Sequence, residues 1–222
     1  MFVTSSGTGV GKTYVTTALA RGLGNADRPV QVLKPVISGF TDADFPESDT
    51  AVLLAALGLE ATPENIDAMS PWRFAAPLSP DMAAARESRN IDFERLVAFC
   101  RDRVAGHDGI TLVEGVGGVM VPLTGSQTVI DWIAALDCPA LLVVGSYLGT
   151  LSHTLTAHGT LAARGIDVSA VIVSESEDNP VDLTETVDCL KRFLPQTRVY
   201  ALARGDNGFL DDKAFLDSLG AK

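Results

Sequence analysis

The segment that most constrains this chain is residues 2–13, Phe-Val-Thr-Ser-Ser-Gly-Thr-Gly-Val-Gly-Lys-Thr. A short apolar strand is predicted to lead into a glycine-rich turn, and a helical pattern follows over residues 13–23. Such a turn brings backbone N–H groups close to phosphate oxygens, and the N-terminus of the next helix favours negative charge. Lys12 would then contact the β- and γ-phosphates, and the Thr13 hydroxyl would bind magnesium. The strict pattern has glycine where this chain has Ser6, so a glycine-rich turn without a ligand is the alternative.

Length and charge limit the classes of protein that this chain can belong to. Its 222 residues include 17 basic and 28 acidic side chains, for a formal net charge of -11. Without a linker, repeat or low-complexity tract, we expect one domain over residues 1–222. An acidic surface repels phosphate backbones, and we expect neither a nucleic-acid nor a membrane partner. The chain starts on a predicted strand and has no long apolar run, which predicts a soluble, cytoplasmic protein.

The cysteines and histidines show no pattern of metal binding or cysteine catalysis. Cys100, Cys138 and Cys189 are far apart and form no C-x-x-C pair. They are predicted to be buried free thiols in a reducing compartment. The three histidines lack the spacing of metal ligands, and no histidine metal site is expected.

Short apolar runs alternate with helical patterns along the chain. Their hydrophobicity is continuous, as expected for strands of a parallel sheet that is covered on both faces. The predicted strands are residues 1–4, 30–33, 109–113, 140–144, 168–173 and 198–202. The predicted helices are residues 12–23, 49–57, 92–104, 129–136, 151–164 and 183–193. This alternation predicts a three-layer, doubly wound α/β fold of the P-loop NTPase type, whose ligands lie beyond the carboxyl ends of the strands.

Two carboxylates are candidate metal ligands. Glu114 stands at the end of an apolar strand, a position from which nucleotide-hydrolysing folds direct a carboxylate at magnesium. Its alternative role is to cap the next helix. Asp49 precedes an apolar helical run, and spacing alone favours neither a ligand nor an ordinary helix-start carboxylate.

Lys34 ends an apolar strand and precedes Pro35, which keeps it extended at the rim of the sheet. It could be a solvated strand end. Beside a bound triphosphate, however, a second ammonium group would stabilise charge that develops during transfer. Ser38 could hydrogen-bond a substrate or simply turn the chain.

Taken together, these segments resemble the dethiobiotin synthetase family, the ATP-dependent ring-closing enzymes of biotin synthesis. The resemblance covers almost the whole chain, and the segments at residues 34–39 and 113–118 discriminate more sharply than the phosphate loop. The other matching segments are residues 8–13, 48–49, 74–80 and 148–153.

The resemblance implies a reaction and a set of partners. One amine of 7,8-diaminononanoate is carbamylated by CO2, the carbamate is phosphorylated by ATP, and the second amine closes a cyclic urea with release of phosphate. The cofactor implied is Mg2+, and the assembly implied is a homodimer with shared active sites.

The resemblance also implies roles for individual residues. Lys12 and Lys34 would be catalytic, and Thr13, Asp49 and Glu114 would hold magnesium. Substrate would be bound by Thr8, Ser38 and Pro77, and its carboxylate tail by Gly149, Thr150, Leu151 and Ser152 of the second subunit. Nucleotide would be bound by Gly9, Val10, Gly11, Tyr14, Gly115, Val116, Gly117, Ser174, Ala203, Arg204 and Gly205, together with Lys12, Thr13, Asp49 and Glu114.

Some positions depart from the family pattern. Ser5 replaces a common glycine, Gly9 stands where an acid is frequent, and Ser152 replaces a frequent asparagine. Ser174 replaces an asparagine that reads adenine, and the usual proline is missing near Ala203. A serine hydroxyl lacks the fixed donor and acceptor pair of an amide, which predicts relaxed nucleotide choice, with other nucleoside triphosphates accepted beside ATP.

Three other functional classes fit the sequence less well than the dethiobiotin synthetase family. A dimerising switch ATPase of the partition or metal-insertion type would usually carry a signature lysine where this chain has Gly7. A cobyrinate-type amide ligase would need an ammonia-supplying domain, which does not fit in this length. A binding protein without turnover would not be expected to keep both lysines and both carboxylates.

Overall fold

A parallel sheet lies at the centre of the computed structural model, which describes residues 1–26, 28–205 and 213–219. The strands are β1 (Phe2–Ser5), β2 (Val30–Leu33), β3 (Val36–Ser38), β4 (Trp72–Phe74), β5 (Ile110–Glu114), β6 (Ala140–Val144), β7 (Val168–Ser174) and β8 (Arg198–Leu202). Six of them form the main sheet in the order β2-β5-β1-β6-β7-β8, and every pair is parallel. These are the six strands that the apolar runs predict, and the doubly wound P-loop fold is confirmed.

The helices alternate with these strands. They are α1 (Lys12–Asn25), α2 (Asp49–Ala56), α3 (Pro63–Met69), α4 (Pro80–Arg86), α5 (Phe93–Ala105), α6 (Val129–Leu136), α7 (Thr150–Ala163), α8 (Leu183–Phe193) and α9 (Lys213–Ser218), with a 3-10 turn at Phe45–Glu47. The short helices α3, α4 and α9 were not predicted. Helices α3 and α4 each start on a proline after a polar residue, and six or seven residues are too few to show helical periodicity.

Strands β3 and β4 were not predicted either. They form a separate two-stranded parallel ladder in which Ser38 pairs with Phe74. Three residues each are too short for a recognisable apolar run. The ladder begins directly after β2, where the Trp72 N–H donates to the Pro35 carbonyl at 3.0 Å.

Two apolar cores cover the two faces of the main sheet. Because side chains alternate along a strand, Phe2 faces one core and Val3 the other. The first core is closed by α5, α6, α7 and α8, through Leu96, Trp132, Leu161 and Leu190. The second is closed by α1, α2 and α9, through Leu19, Leu53 and Phe215. With a layer of helices on each face, the sheet is a rigid frame whose strand ends hold the functional residues.

The cysteines are unpaired, as predicted, but only Cys100 is fully buried. Cys138 and Cys189 are half-buried, so the prediction of three buried thiols is wrong for these two. Cys138 precedes β6 at a helix-to-strand connection, and Cys189 lies on the outer helix α8, where part of the surface meets solvent. Within the described ranges, no helix has the length and apolar character that a membrane crossing requires.

Candidate functional site

The phosphate loop connects the end of β1 to the start of α1 in a conformation that needs glycine. Gly9 and Gly11 have φ angles of 72° and 90°, in the left-handed region. A Cβ atom at Gly11 would also lie 2.4 Å from the Ser174 Oγ atom. No acidic side chain occupies the first turn of α1, so the partial positive charge of its N-terminal N–H groups is available to an anion.

Lys12 is buried beside this loop and is held by Ser5. Its Nζ atom donates to the Ser5 Oγ atom at 3.2 Å, and that oxygen lies 2.6 Å from the Gly7 carbonyl and 2.8 Å from the Gly117 carbonyl. Burial, and then the nearby Lys34 cation, lower the pKa of Lys12 to about 8, although Glu114 and Asp49 oppose the change. Sequence reasoning treated Ser5 only as a departure from the family pattern and missed this contact.

Lys34 lies beneath the rim rather than in solvent, with 2% of its surface exposed. Its ammonium group contacts Glu114 Oε1 at 2.7 Å, the Gly115 carbonyl at 2.8 Å and Asp49 Oδ2 at 3.1 Å. Burial disfavours the charge, but attraction to Glu114 and Asp49 outweighs burial and raises the pKa of Lys34. The solvated-end alternative for Lys34 is therefore wrong.

Asp49 lies at the first residue of α2, where sequence left two roles open. The helix is capped by Ser48, whose side chain accepts the Ala51 N–H. The Asp49 carboxylate instead contacts Lys34 and the Thr13 hydroxyl. Burial by itself would raise the pKa of the Asp49 carboxyl. The charge of Lys34 and the hydrogen bond from Thr13 outweigh that effect, and the net result is a lowered pKa.

Thr13, Asp49 and Glu114 form a cluster of oxygen atoms at the start of α1. The Thr13 Oγ1 atom lies 2.8 Å from both Asp49 Oδ1 and Glu114 Oε1. Glu114 is fully buried, and its Oε2 atom has no hydrogen-bond partner among the described residues. A hydroxyl and two carboxylates are hard oxygen donors of the kind that Mg2+ prefers. A small number of protein ligands is typical of Mg2+, because phosphate and water oxygens complete its coordination. The residues present fit such an ion.

A cavity of about 430 Å³ lies between these groups and brings both lysines together. Thr8, Ser38, Asp49, Val116 and Gly117 also line it, as do Gly9, Gly11, Thr13, Tyr14 and the unpredicted Ile37. Pro77 does not line this cavity; it packs beside Gly39, the residue after Ser38, where an added Cβ would lie 3.3 Å from the Pro77 Cβ. The structure therefore places both lysines, Thr13 and Asp49 around one space, while the fully buried Glu114 lies behind them and does not line it.

A second cavity of about 830 Å³ adjoins the other side of the loop. The two cavities share Thr8, Gly9, Gly11 and Tyr14. Four of the residues that the resemblance assigns to nucleotide, Val10, Ser174, Arg204 and Gly205, line the larger one. The Tyr14 hydroxyl lies 3.4 Å from the Ala203 carbonyl. Sequence reasoning missed five further lining residues: Tyr147, Glu175, Ser176, Glu177 and Asp178. All five follow β6 or β7, and the position after a parallel strand was the signal that could have found them.

The predicted tail-binding residues lie elsewhere in the chain. Gly149, Thr150, Leu151 and Ser152 line a third cavity of about 650 Å³, together with residues of α8. The Thr150 hydroxyl is buried and donates to the Gly145 carbonyl at 2.6 Å. Within one chain, these four residues do not line the cavity that holds the lysines.

Solved structures share the fold at low sequence identity. A chain of the MinC:MinD cell division protein complex of Aquifex aeolicus matches with a TM-score of 0.55 at 15% identity, covering 98% of this chain and 92% of that one. A ParA family ATPase from Chlorobium tepidum matches with a TM-score of 0.54 at 16% identity, covering 99% and 89%. At this identity the likeness establishes the P-loop fold alone.

Sequence relatives are much more similar. A family model described as an AAA domain matches residues 1–203. ATP-dependent dethiobiotin synthetases from Methylobacterium nodulans and Acidiphilium cryptum are 50% and 48% identical. The first match covers 92% of this chain and 93% of the relative, and the second covers 88% of each. With this identity over nearly the full length of both chains, and with the phosphate loop and both lysines around one cavity beside the oxygen cluster, the chain belongs to the ATP-dependent dethiobiotin synthetase family.

Proposed function

We propose that this chain converts 7,8-diaminononanoate, CO2 and ATP into dethiobiotin, ADP and phosphate. The observation that carries the proposal is the burial of Lys34 in the same cavity as the phosphate-loop lysine, Lys12. A phosphate loop needs one lysine for its nucleotide, and a second buried ammonium at the same point suits a second anionic reactant. The family membership supplies the identity of that reactant.

The proposed reaction has three steps. One substrate amine adds to CO2 to give a carbamate and releases a proton. A carbamate oxygen then attacks the γ-phosphorus of ATP, the bond to the bridging oxygen breaks, and ADP leaves. Finally, the neighbouring amine attacks the carbonyl carbon of the carbamic-phosphoric anhydride, phosphate leaves, a second proton is lost and the cyclic urea closes.

The lysines meet the main physical difficulty of this sequence, which is to bring an anionic carbamate against an anionic nucleotide. Lys12 would contact the transferred phosphoryl group, since its Nζ lies beside the phosphate loop on Ser5. Lys34, which lines the same cavity, would contact the carbamate and the phosphoryl oxygens. Because both groups are buried, their attraction to developing charge is weakly screened by water.

Thr13, Asp49 and Glu114 are the residues that we assign to Mg2+. Bound there, the ion would supply positive charge to the β- and γ-phosphate oxygens. The assignment is supported by the Thr13 hydroxyl between two carboxylates and by the unpartnered, buried Oε2 atom of Glu114.

Substrate contacts are proposed at both ends of the diamine. Thr8 and Ser38 line the lysine cavity, and we propose that they hold the reacting amines, with Pro77, which packs beside Gly39, as a further substrate contact. Gly149, Thr150, Leu151 and Ser152 lie in a separate cavity of the same chain, and the carboxylate tail would reach them only from a neighbouring subunit. We therefore propose a homodimer with shared sites, acting in the cytoplasm.

The test is a phosphate-release assay with purified protein, ATP and Mg2+, with and without diaminononanoate and bicarbonate. Phosphate release should require both additions and should match dethiobiotin formation, measured by mass spectrometry. A Lys34→Met variant should lose this activity, whereas Lys191→Met, which removes an exposed lysine on α8, should keep it. ATP hydrolysis at the same rate with and without diaminononanoate and bicarbonate would instead support a switch ATPase.

A further inference from the structure

We infer that Glu175 makes the base end of the larger cavity select nucleotides whose base carries an exocyclic amino group. This inference rests on the proposed function, because it concerns the nucleotide that the same site would use. Adenine, cytosine and guanine are the bases that satisfy it. The inference starts from the polar groups that the structure places along this cavity.

Ser174 cannot extend far towards a base. Its Oγ atom lies 2.4 Å from the position of a Cβ on Gly11, so it sits against the phosphate loop. Only 5% of the Ser174 surface is exposed, and Ser174 lies on the cavity wall. A serine side chain is too short to read the far edge of a base from there, so a longer side chain is needed for that contact.

Glu175 is the next residue and is held in place on both sides. Its backbone N–H donates to the Leu202 carbonyl at 2.9 Å. Its Oε2 atom accepts the Arg204 N–H at 2.9 Å. The carboxylate thus joins the two loops that form the cavity walls, after β7 and after β8, and the residues that the structure describes place no donor on its Oε1 atom.

The other charged groups of the lining are more exposed. Glu177 is paired with the Arg204 guanidinium at 3.0 Å, and 79% of its side chain is exposed. Asp178 is also exposed, while Glu175 is half-buried. Solvent screens exposed charges strongly, so Glu175 is the acceptor whose pairing matters most to a bound base.

A half-buried carboxylate binds a base edge that can donate a hydrogen bond more tightly than a base edge that cannot. An amino group of the base would donate to Glu175 in a charge-assisted hydrogen bond. A base with only C–H at that edge would displace water from the carboxylate and offer no hydrogen bond in return, which costs affinity. Both lysines line the smaller cavity, which shares Thr8, Gly9, Gly11 and Tyr14 with the larger one. The triphosphate would therefore lie towards the lysines and the base towards Glu175.

The test compares ATP with purine riboside 5′-triphosphate, which differs only in lacking the 6-amino group, and includes CTP as a second amino-bearing nucleotide. Dethiobiotin formation is measured at saturating diaminononanoate, bicarbonate and Mg2+. We expect kcat/KM for purine riboside triphosphate to be at least about tenfold below that for ATP, because an acceptor is left unpaired. CTP should stay within about tenfold of ATP, since it also offers an amino group.

Variants assign this preference to Glu175. Glu175→Met keeps a chain of similar length without an acceptor and should bring the ATP to purine riboside triphosphate ratio close to one, while Glu175→Gln should keep part of it. If the substitution only disrupted the loop, kcat/KM would fall equally for both nucleotides and the ratio would stay unchanged. Glu60→Met, an exposed residue after α2, removes the same charge away from the cavity and should not change the ratio.

Two results would overturn the inference: equal use of ATP and purine riboside triphosphate by the unaltered protein, or a preference that survives in Glu175→Met. If no nucleotide supports dethiobiotin formation, the proposed function fails instead.

Discussion

Substitution of Lys34 by methionine tests whether the buried ion pair organises this site. Methionine keeps the aliphatic length of lysine but removes the charge, so Glu114 is left buried without its cation. Removing one partner of a buried pair costs about 3–5 kcal/mol of unfolding free energy. Asp49 adds little to this value, because 41% of its side chain is exposed. The loss would be a large part of the about 5–15 kcal/mol that typically stabilises a domain.

The magnitude can be measured by urea unfolding of Lys34→Met, Glu114→Gln and the double variant. With both charges removed, neither member of this pair is left as a lone buried ion, and the double variant should be about 2–3 kcal/mol more stable than the sum of the single losses predicts. Additive losses, or a loss below about 0.5 kcal/mol for Lys34→Met, would refute the ion-pair argument. Turnover of Lys34→Met should fall by about two to three orders of magnitude while nucleotide affinity changes little.

The contact between Lys34 and Asp49 predicts a pH dependence of the stability of the folded protein. In the folded protein the pKa of Asp49 is lowered, so its contribution is fully present above the ordinary value of 3.8 and is lost as pH falls through the lowered pKa. Lys34→Met removes the cation that contributes most to lowering the pKa of Asp49. The loss of stability as pH falls below 3.8 should therefore be smaller in this variant than in the unaltered protein, measured by urea unfolding across that pH range.

Three further outcomes are expected. Glu114→Gln should raise the Mg2+ concentration that gives half-maximal turnover by at least about tenfold, since it removes one ligand charge; an unchanged Mg2+ titration would assign this carboxylate to structure alone. Gly11→Ala should unfold at lower urea and lose nucleotide binding, measured by calorimetry, because its Cβ would meet Ser174 in a left-handed backbone conformation; normal binding would contradict the loop geometry. Burial raises the pKa of Cys100 to about 12, so alkylation at pH 8 should spare this thiol and label Cys138 faster until urea unfolds the chain; equal labelling rates in the native protein would be inconsistent with this burial.

Local patterns predicted the frame of the molecule well. The six strands of the main sheet and the six long helices have apolar spacing that reports burial directly. The glycines of the phosphate loop needed no tertiary information, since Gly9 and Gly11 adopt backbone angles that other residues avoid. Short elements such as β3 and α3 were not predicted, because three to seven residues are too few to show a hydrophobic periodicity.

The roles of single polar residues were less predictable. Spacing could not decide whether Asp49 capped a helix, and the cap proved to be its neighbour Ser48. Nor could it separate a solvated Lys34 from a buried one, since burial depends on what packs above the strand end. The domain count and the substrate, metal and subunit roles of the site residues stay predictions.

The sequence by itself determined that this chain folds as a phosphate-loop protein and which residues stand at its strand ends, because backbone preference and apolar periodicity act between near neighbours. Only the tertiary structure decided that Lys34 meets Glu114, 80 residues away, and that Thr13 meets Glu114, 101 residues away. It also decided that Glu175 joins the walls of the larger cavity. Such contacts arise where parallel strands distant in sequence end side by side, and their energies depend on burial that local sequence does not specify.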